Sequence, residues 1–219
     1  MNNELSHIDS DYRVELIRKA IHFCSISIPI GYFFVPRSIA LMIFIPLASA
    51  FLLVDVARYY HRPIQGWFYN WFGWLLRQHE SDDKKKRLNG ASYVLISATI
   101  CILIFPKIIA ITSFAILIIC DLTAALVGKR FGKHRFFGKT LEGSSGFFAS
   151  GIIVILLTPK IGYHSAEYLI GIISVALGTL IESLSVEVDD NLSVPLTVGL
   201  ALWIMYHYFL PGLNVYTFG

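Results

Sequence analysis

The segment CDLTAALVGKRFGKHRFFGKTLEG, residues 120–143, joins two long apolar stretches of the chain through a short polar run. Its beginning continues the apolar stretch before it, and its end opens the next one. Between them lie five Lys or Arg residues and the glycines at positions 128, 132 and 138. Long apolar stretches separated by cationic turns are typical of a helical membrane protein.

The composition of the whole chain points to the same class. Of its 219 residues, 55% are hydrophobic and 15% are charged, and the mean hydropathy is +0.63. An ordinary soluble domain has about 25% charged residues. Apolar runs of roughly 17 to 25 residues, the length that crosses about 30 Å of hydrocarbon, recur along the chain. We therefore predict an all-α, polytopic integral membrane protein.

The apolar runs predict about seven transmembrane helices. Their approximate limits are 18–36, 38–57, 89–105, 107–127, 143–158, 164–184 and 192–210. With a cytoplasmic N-terminus, 15 of the 18 Lys and Arg residues fall on the cytoplasmic side, and only Arg37, Lys107 and Lys160 fall on the other. Because cytoplasmic loops accumulate cations, this split predicts that orientation. We expect one transmembrane catalytic domain over residues 1–219.

Three cytoplasmic segments follow from this topology. Segment 58–88 contains WFYNWFGWLL and predicts an amphipathic helix in the membrane interface. Its cationic cluster 84–87 precedes a predicted span, so we expect it to contact anionic lipid headgroups rather than nucleic acid. Segment 128–142 is the glycine-rich basic loop. Segment 182–195 is an acidic loop without a cation, which indicates either a divalent metal or metal–polyphosphate site, or a solvated turn.

Several ionisable residues lie inside or beside predicted spans. Asp121 lies in an apolar segment, where a charged group usually has a function, although a structural pair with a basic residue is the alternative. The first span opens with ELIRKAIHF, in which Glu15, Arg18, Lys19 and His22 share one helical face. We expect this face to form a wall of a polar pocket, while simple anchoring at the interface would also explain its cations.

Asp55 and Arg58 are one helical turn apart at the end of the second predicted span. They predict a local ion pair. A structural role and a role in the same polar pocket both stay open at this point.

The basic loop has the composition of an anion site. Gly128, Gly132 and Gly138 allow close approach of backbone amides, and the loop cations neutralise charge; these are Lys129, Arg130, Lys133, Arg135 and Lys139. Thr140 is a predicted helix cap, and Glu142 and Gly143 open the next helix, whose N-terminus also favours anions. A P-loop is excluded, because five residues rather than four separate its glycines and no strand precedes them.

Three quoted segments together resemble a known family. DLTAALVGKRFGKHRFFGKTLEGSSGFF, ELIRKAIH and VEVDDNLSVPL are similar to the CTP-dependent lipid kinases, which include dolichol kinase, phytol kinase and the fungal CTP-dependent diacylglycerol kinase. The resemblance extends over residues 15–195. It implies transfer of the γ-phosphate of CTP to a membrane lipid alcohol with a divalent cation such as Mg²⁺. The matching polar positions are Arg18, Lys19, Asp121, Gly128, Lys139, Glu142, Asp189, Asp190 and Asn191.

The resemblance suggests a role for each predicted site residue. The nucleotide would be held by Arg18, Lys19 and the basic loop with the start of the next helix. The residues of this loop and helix start are Gly128, Lys129, Arg130, Gly132, Lys133, Gly138, Thr140, Glu142 and Gly143. Asp189, Asp190 and Asn191 would bind Mg²⁺. Asp121 would orient or deprotonate the lipid hydroxyl, or serve as a further metal ligand, and both roles stay open. Lys139 and His22 complete the predicted catalytic set, with His22 as the alternative base.

Two other functions fit parts of the sequence. The phosphatidate cytidylyltransferases share the aspartate, the glycine-basic loop and a KT-EG arrangement, but their C-terminal His-Gly-Gly and Asp-Arg elements are missing here, which favours the kinase. An ion or solute transporter would explain buried ionisable residues, yet the chain has no internal repeat and its polar residues gather at one face. The acceptor stays open among polyprenol, phytol and diacylglycerol, as do CTP against ATP and the oligomeric state.

Overall fold

The computed structural model describes residue 14 and residues 17–76, 87–184 and 189–217. Within these residues the structure is almost entirely helical, so the all-α fold class is confirmed. The helices are α1 (17–24), α2 (Ser27–Phe34), α3 (Arg37–Ala57), α4 (Arg62–Phe72), α5 (Gly90–Ile104), α6 (Lys107–Phe131), α7 (Leu141–Leu157), α8 (Ser165–Leu184) and α9 (Asp190–Phe209). A short hairpin, β1 (Arg135–Phe136) and β2 (Lys139–Thr140), connects α6 to α7.

The long helices coincide with the predicted apolar segments. Helices α3, α6, α8 and α9 are each long and apolar enough to cross a membrane, and α5 and α7 are shorter apolar helices. The last six predicted spans therefore each correspond to one helix. The total of seven spans and the cytoplasmic N-terminus stay predictions.

The first predicted span, 18–36, consists of two short helices instead of one. Helix α1 ends in a turn at Ser25 and Ile26, and α2 begins at Ser27. Pro29 explains the break, because it has no N–H to donate to the carbonyl of Ser25 one turn earlier. That carbonyl instead accepts a hydrogen bond of 2.9 Å from the backbone N–H of Ile28.

Helix α6 forms the centre of the bundle. Most of its residues are buried, including Ile116, Leu117 and Ile118, and it packs against α2, α5, α7 and α9. The helix continues to Phe131, so the predicted loop 128–142 begins as helix and becomes irregular only after that residue. Lys129 and Arg130 lie in its last turn, where positive side chains interact favourably with the helix dipole.

Glycines set the close packing of α7, α8 and α9. A Cβ atom at Gly151 would meet Val175, one at Gly171 would meet Ile155, and one at Gly178 would meet Val198. Small residues at these positions let neighbouring helix backbones approach each other. The contacts run in an antiparallel register, so the beginning of α7, the end of α8 and the beginning of α9 lie at the same end of the bundle.

The segment predicted to lie in the membrane interface begins with the amphipathic helix α4. Within this helix Phe68 is buried, whereas Trp67 and Trp71 are exposed. A 3₁₀ turn, Gly73–Leu75, follows the helix. The location of α4 relative to a bilayer stays a prediction, and most of the cationic cluster 84–87 lies outside the described residues.

Asp55 and Arg58 connect the two ends of this segment. Nε of Arg58 lies 2.7 Å from Oδ1 of Asp55, and both side chains are at most 1% exposed. Asp55 accepts a hydrogen bond of 2.6 Å from the backbone N–H of Asn89. Arg58 donates one of 3.0 Å to the carbonyl of Arg87 and lies over the ring of Phe68. These contacts favour the structural role for the pair.

Candidate functional site

A buried ion pair joins α1 to the central helix. Nζ of Lys19 lies 2.6 Å from Oδ2 of Asp121, and each residue is 8% exposed. Nε2 of His22 lies 3.6 Å from the same oxygen, which is longer than a hydrogen bond. Lys19 and His22 therefore face Asp121 from one side of α1. Glu15, predicted on the same face, lies outside the described residues.

A second charged cluster lies where β2, α8 and α9 meet. Nζ of Lys139 is 3.0 Å from Oε1 of Glu182 and 3.1 Å from Oδ2 of Asp190. Burial lowers the pKa of Lys139, but the carboxylates of Asp190 and Glu182 raise it by more, so the net pKa lies above its usual value. Lys139 is therefore a charged ammonium group at neutral pH.

The two clusters lie at the same end of the bundle. Asp121 lies two helical turns before Gly128, which packs against Thr140, the residue after Lys139. The hairpin is fixed at the same point, because the backbone N–H of Gly138 donates a hydrogen bond of 3.0 Å to the carbonyl of Ser183. The predicted basic loop, the predicted acidic loop and the buried aspartate thus meet at one end of the bundle.

The turn of the hairpin has an unusual backbone. Phe137 has a φ of 50°, a left-handed conformation that bulky residues rarely adopt. Such a conformation costs on the order of 1–3 kcal/mol and is retained where surrounding contacts require it. The hydrogen bond from Gly138 to the end of α8 is such a contact.

The acidic turn begins helix α9. Oδ1 of Asp189 accepts hydrogen bonds from the backbone N–H of Asn191, at 3.0 Å, and from its side-chain amide, at 2.7 Å. Asp189 is therefore the N-cap of α9. Of the three predicted metal ligands in this turn, Asp189 is this cap, Asp190 contacts Lys139, and Asn191 is 6% exposed.

The oxygen atoms in this turn suit a hard cation, although the described residues contain no group of three or more His, Cys, Asp and Glu side chains arranged as a metal site. Oε2 of Glu182 and Oδ1 of Asn191 are buried and have no hydrogen-bond partner within the described part of the chain. Carboxylate and amide oxygens are the ligands that Mg²⁺ prefers. The side chains present therefore fit a divalent cation at the junction of α8 and α9.

Thr140 and three glycines hold the hairpin against the helices. Oγ1 of Thr140 accepts a hydrogen bond of 3.1 Å from the backbone N–H of Gly143, which makes Thr140 the N-cap of α7. A Cβ atom at either Gly128 or Gly143 would lie 2.9 Å from that oxygen, and one at Gly132 would lie 2.8 Å from the methyl group of Thr140. These glycines therefore permit the contact between the end of α6 and the beginning of α7.

This contact gives a stability prediction for Gly143→Ala. The new methyl group would also lie 3.1 Å from the carbonyl oxygen of Ala124, so the helices must separate. We expect the free energy of unfolding to fall by about 1–3 kcal/mol, the usual cost of overpacking. The measurement is chemical unfolding in detergent. Gly31→Ala is the matched control, since nothing lies within 4 Å of its Cβ position; equal stability of the two variants would contradict the prediction.

Glu142 and Arg18 contact backbone groups. The Glu142 carboxylate accepts hydrogen bonds from the backbone N–H groups of Lys133, at 3.1 Å, and His134, at 3.3 Å. The guanidinium of Arg18 lies 3.3 Å from the carbonyl of Leu75, beyond α4. In these contacts Glu142 orders the basic loop and Arg18 ties α1 to the segment after α4.

The remaining residues of the predicted nucleotide site lie on the surface beside the clusters. Lys129, Arg130, Gly132, Lys133 and Gly138 are all exposed at the end of α6 and in the hairpin. Their charges are accessible to an anion that arrives from water. Within the described residues, buried Lys19 and partly buried Lys139 supply the cations nearest to Asp121 and Glu182.

Glu182 is the site residue that the sequence interpretation did not single out. It lay within the predicted acidic loop but received no individual role. Its signal was the same as that of Asp121: a carboxylate at the end of an otherwise apolar helical segment, here GTLIE, where a charge is costly unless it has a partner.

The fold and this site define a polytopic α-helical membrane protein with a composite charged centre at one end of its helix bundle. The chain is 36% identical over 198 residues to an uncharacterized protein of Rickettsia prowazekii, a match that covers 89% of this chain and 96% of the relative. It belongs to the same family as that protein.

Two more distant relatives have named activities. CTP-dependent diacylglycerol kinase 1 of Schizosaccharomyces pombe is 27% identical over 165 residues, covering 69% of this chain and 74% of the relative. The chloroplastic farnesol kinase of Arabidopsis thaliana is 28% identical over 142 residues, covering 57% of this chain and 45% of the relative. No protein-family model matches the chain, and no solved structure matches it. These relatives support a distant relationship to the CTP-dependent lipid kinases.

Proposed function

We propose that this protein is a membrane lipid kinase that transfers the γ-phosphate of CTP to a lipid alcohol. The acceptor would be a polyprenol or dolichol, phytol or diacylglycerol, and the reaction would take place at the cytoplasmic face of a membrane. The observation that carries the proposal is that Lys19, Asp121, Lys139, Glu182 and Asp190 all lie at one end of an apolar bundle. The two named distant relatives support the same reaction class.

Phosphoryl transfer requires little covalent help from a protein. It depends on in-line placement of the two reactants and on neutralisation of the charge on the phosphate oxygens. The exposed cations at the end of α6 and in the hairpin would bind the triphosphate. Lys19 and Lys139 would lie nearest to the transferred group, because they are the cations in contact with buried carboxylates.

Asp121 would act on the acceptor hydroxyl. Its carboxylate is buried in α6, a helix that is long and apolar enough to cross a membrane. Lys19 fixes the position of one carboxylate oxygen. A carboxylate held in this way can orient the hydroxyl and accept its proton, while His22, 3.6 Å away, is the alternative acceptor.

A divalent cation would be held at the junction of α8 and α9, where Asp190 and Asn191 supply oxygen atoms. The other two predicted ligands are Asp189, whose Oδ1 caps the helix, and Asp121. When bound, such a cation neutralises charge on the phosphate oxygens of a nucleotide. The oligomeric state plays no part in this proposal, because each of these residues belongs to the same chain.

The membrane location follows from the two substrates. A long-chain alcohol presents its hydroxyl group at the level of the lipid headgroups, whereas a nucleotide arrives from water. A site at one end of a transmembrane bundle would contact both. We therefore place the protein as a multi-pass membrane protein, in the inner or plasma membrane if the cell is bacterial, with anionic headgroups around its cationic end.

The proposal is tested with purified protein in detergent or lipid, Mg²⁺ and a panel of prenols, phytol and diacylglycerol. CTP labelled at the γ-phosphate and CTP labelled in the cytidine are compared in parallel, with ATP as the competing donor. Transfer of γ-label to a lipid with release of CDP is the expected result. Cytidine in the lipid with release of pyrophosphate would identify a cytidylyltransferase, and no transfer to any acceptor would contradict both enzymes and return attention to a transporter.

A metal dependence is expected in the same assay. EDTA in excess over Mg²⁺ should reduce the transfer to the background rate, and added Mg²⁺ should restore it, since the metal ion neutralises charge that develops on the phosphate oxygens during transfer. Transfer that persists unchanged in EDTA, with metal-free reagents, would contradict a divalent cation in this reaction.

A further inference from the structure

Lys139 lies between the same carboxylates that would bind a divalent cation. Its Nζ contacts Oε1 of Glu182 and Oδ2 of Asp190, at 3.0 and 3.1 Å. We propose that the Lys139 ammonium group and the divalent cation compete for the oxygens of Glu182 and Asp190, so that cation binding releases Lys139 toward the phosphates. The movement of Lys139 toward phosphates rests on the proposed lipid kinase function. The cation site itself does not depend on that function.

Glu182 and Asn191, the residue after Asp190, each have a buried oxygen without a hydrogen-bond donor in the described part of the chain. Oε2 of Glu182 and Oδ1 of Asn191 belong to residues that are 3% and 6% exposed, and neither atom has a hydrogen-bond partner within the described residues. Buried oxygens without a donor are costly, so their presence beside two carboxylates points to a ligand that supplies positive charge. A single ammonium group does not satisfy them.

Two more oxygens belong to the same level of the bundle. The contacts of Gly151 with Val175 and of Gly171 with Ile155 fix the register of α7 against α8, and this register puts Ser144 at the level of Glu182 along the helices. Oγ of Ser144 is buried and also has no partner among the described residues. Pro195 lies inside α9, so the backbone carbonyl of Asn191 lacks its usual donor one turn later.

The charges explain why the two cations exclude each other. Glu182 and Asp190 carry two negative charges, and Lys139 neutralises one of them. A divalent cation at the same oxygens would neutralise both, but it would repel an ammonium group held at hydrogen-bond distance. Lys139 has a flexible four-carbon side chain and a strongly hydrated ammonium group, and its side chain is 34% exposed, so it can leave the carboxylates without unfolding the hairpin.

The test is direct binding of Mn²⁺, a paramagnetic substitute for Mg²⁺, to the full-length protein in detergent without nucleotide or lipid. Electron paramagnetic resonance measures the free Mn²⁺. Lys139→Met removes the competing charge, so we expect Mn²⁺ to bind at least tenfold more tightly than to the unmodified protein. Unchanged or weaker binding by a folded Lys139→Met protein would overturn the proposal.

Lys133→Met is the matched control. It removes an equal charge from the same exposed loop, but the backbone of Lys133, not its ammonium group, makes the described contact of this residue. Its Mn²⁺ affinity should change less than threefold. An equal gain in both variants would show a general effect of net charge and would overturn a specific competition.

Glu182→Gln tests the same site without removing the lysine. The amide cannot supply a negative oxygen, so Mn²⁺ affinity should fall at least tenfold, both in the unmodified background and beside Lys139→Met. Unchanged affinity would remove Glu182 from the cation site. This second variant keeps the proposal testable if Lys139→Met does not fold.

The outcome is independent of the assay for phosphate transfer. Mn²⁺ binding that follows these changes, in a protein that transfers no phosphate, would support the cation site and contradict the lipid kinase. If the protein transfers phosphate but its Mn²⁺ affinity is unchanged by substitution of Lys139 and Glu182, the kinase is supported and the competition between Lys139 and the cation is overturned.

Discussion

Replacement of Asp121 by Asn is expected to reduce phosphate transfer by about a thousandfold or more. A positioned general base contributes roughly 10² to 10⁴ in rate, and an amide cannot accept the proton of the lipid hydroxyl. The change also removes the partner of Lys19, which lies 2.6 Å away in a buried pair. The measurement is the turnover number with saturating CTP and the best lipid acceptor, expressed per molecule of folded protein.

Two controls separate chemistry from folding in this experiment. Glu167→Gln changes another buried acid of the bundle, which accepts backbone hydrogen bonds from Ile161 and Gly162 far along α8 from the site. It should lower stability while leaving turnover per folded molecule within about threefold, which is less than about 1 kcal/mol of activation free energy. The double variant Asp121→Asn with Lys19→Met should recover stability but not activity. Near-normal turnover of Asp121→Asn would remove this residue from the mechanism.

The positions of the helices could be predicted because each helix that crosses a membrane needs an apolar run about as long as the hydrocarbon is thick. Six apolar segments correspond to α3 and α5 to α9 within a few residues. The break at Ser25 and Ile26 was less visible, since an apolar composition continues through it and Pro29 alone signals the missing hydrogen bond. The helical character of residues 128–131 was also missed, because glycine and cations suggest a loop although they suit a helix C-terminus.

The candidate site could be predicted in part because a charge in an apolar segment needs a partner. That rule identified Asp121, and the spacing of Lys19 and His22 on one helical face identified the side facing it. It did not identify which carboxylate would meet Lys139. The contact with Glu182 depends on the register of α7 against α8, and this register is set by glycine contacts that no local pattern reveals.

Arg18 and Glu142 show that the sequence can also assign a residue to a ligand when its contacts are with the protein itself. Both match the polar pattern of the predicted nucleotide site, yet Arg18 donates to the carbonyl of Leu75. Glu142 accepts from the backbone N–H groups of Lys133 and His134 and pairs with the ring of His134. A sequence motif shows that a polar group is present, but not whether it contacts a ligand or holds the loop that does. Such loop contacts also explain why predicted site residues can affect activity through position alone.

The second large effect is expected at the buried pair of Asp55 and Arg58. Arg58→Met should lower the free energy of unfolding by about 3–5 kcal/mol, because it leaves the Asp55 carboxylate buried without a compensating charge. Both residues are at most 1% exposed, so solvent cannot take over the role of the lost partner. Chemical unfolding in detergent measures the loss. Turnover per folded molecule should remain within about threefold, which is less than about 1 kcal/mol of activation free energy.

A double variant decides whether the pair is structural. Asp55→Leu with Arg58→Met removes both charges, and replacement of a buried pair by apolar residues is often neutral or stabilising, so most of the lost stability should return. Some loss should remain, because Asp55 also accepts the backbone N–H of Asn89 and Arg58 donates to the carbonyl of Arg87. If the double variant is as unstable as Arg58→Met, those backbone contacts, rather than the ion pair, hold the ends of segment 58–88 together. Lost turnover in a stable double variant would instead place the pair in the active site, and the structural role inferred from its burial and backbone partners would be wrong.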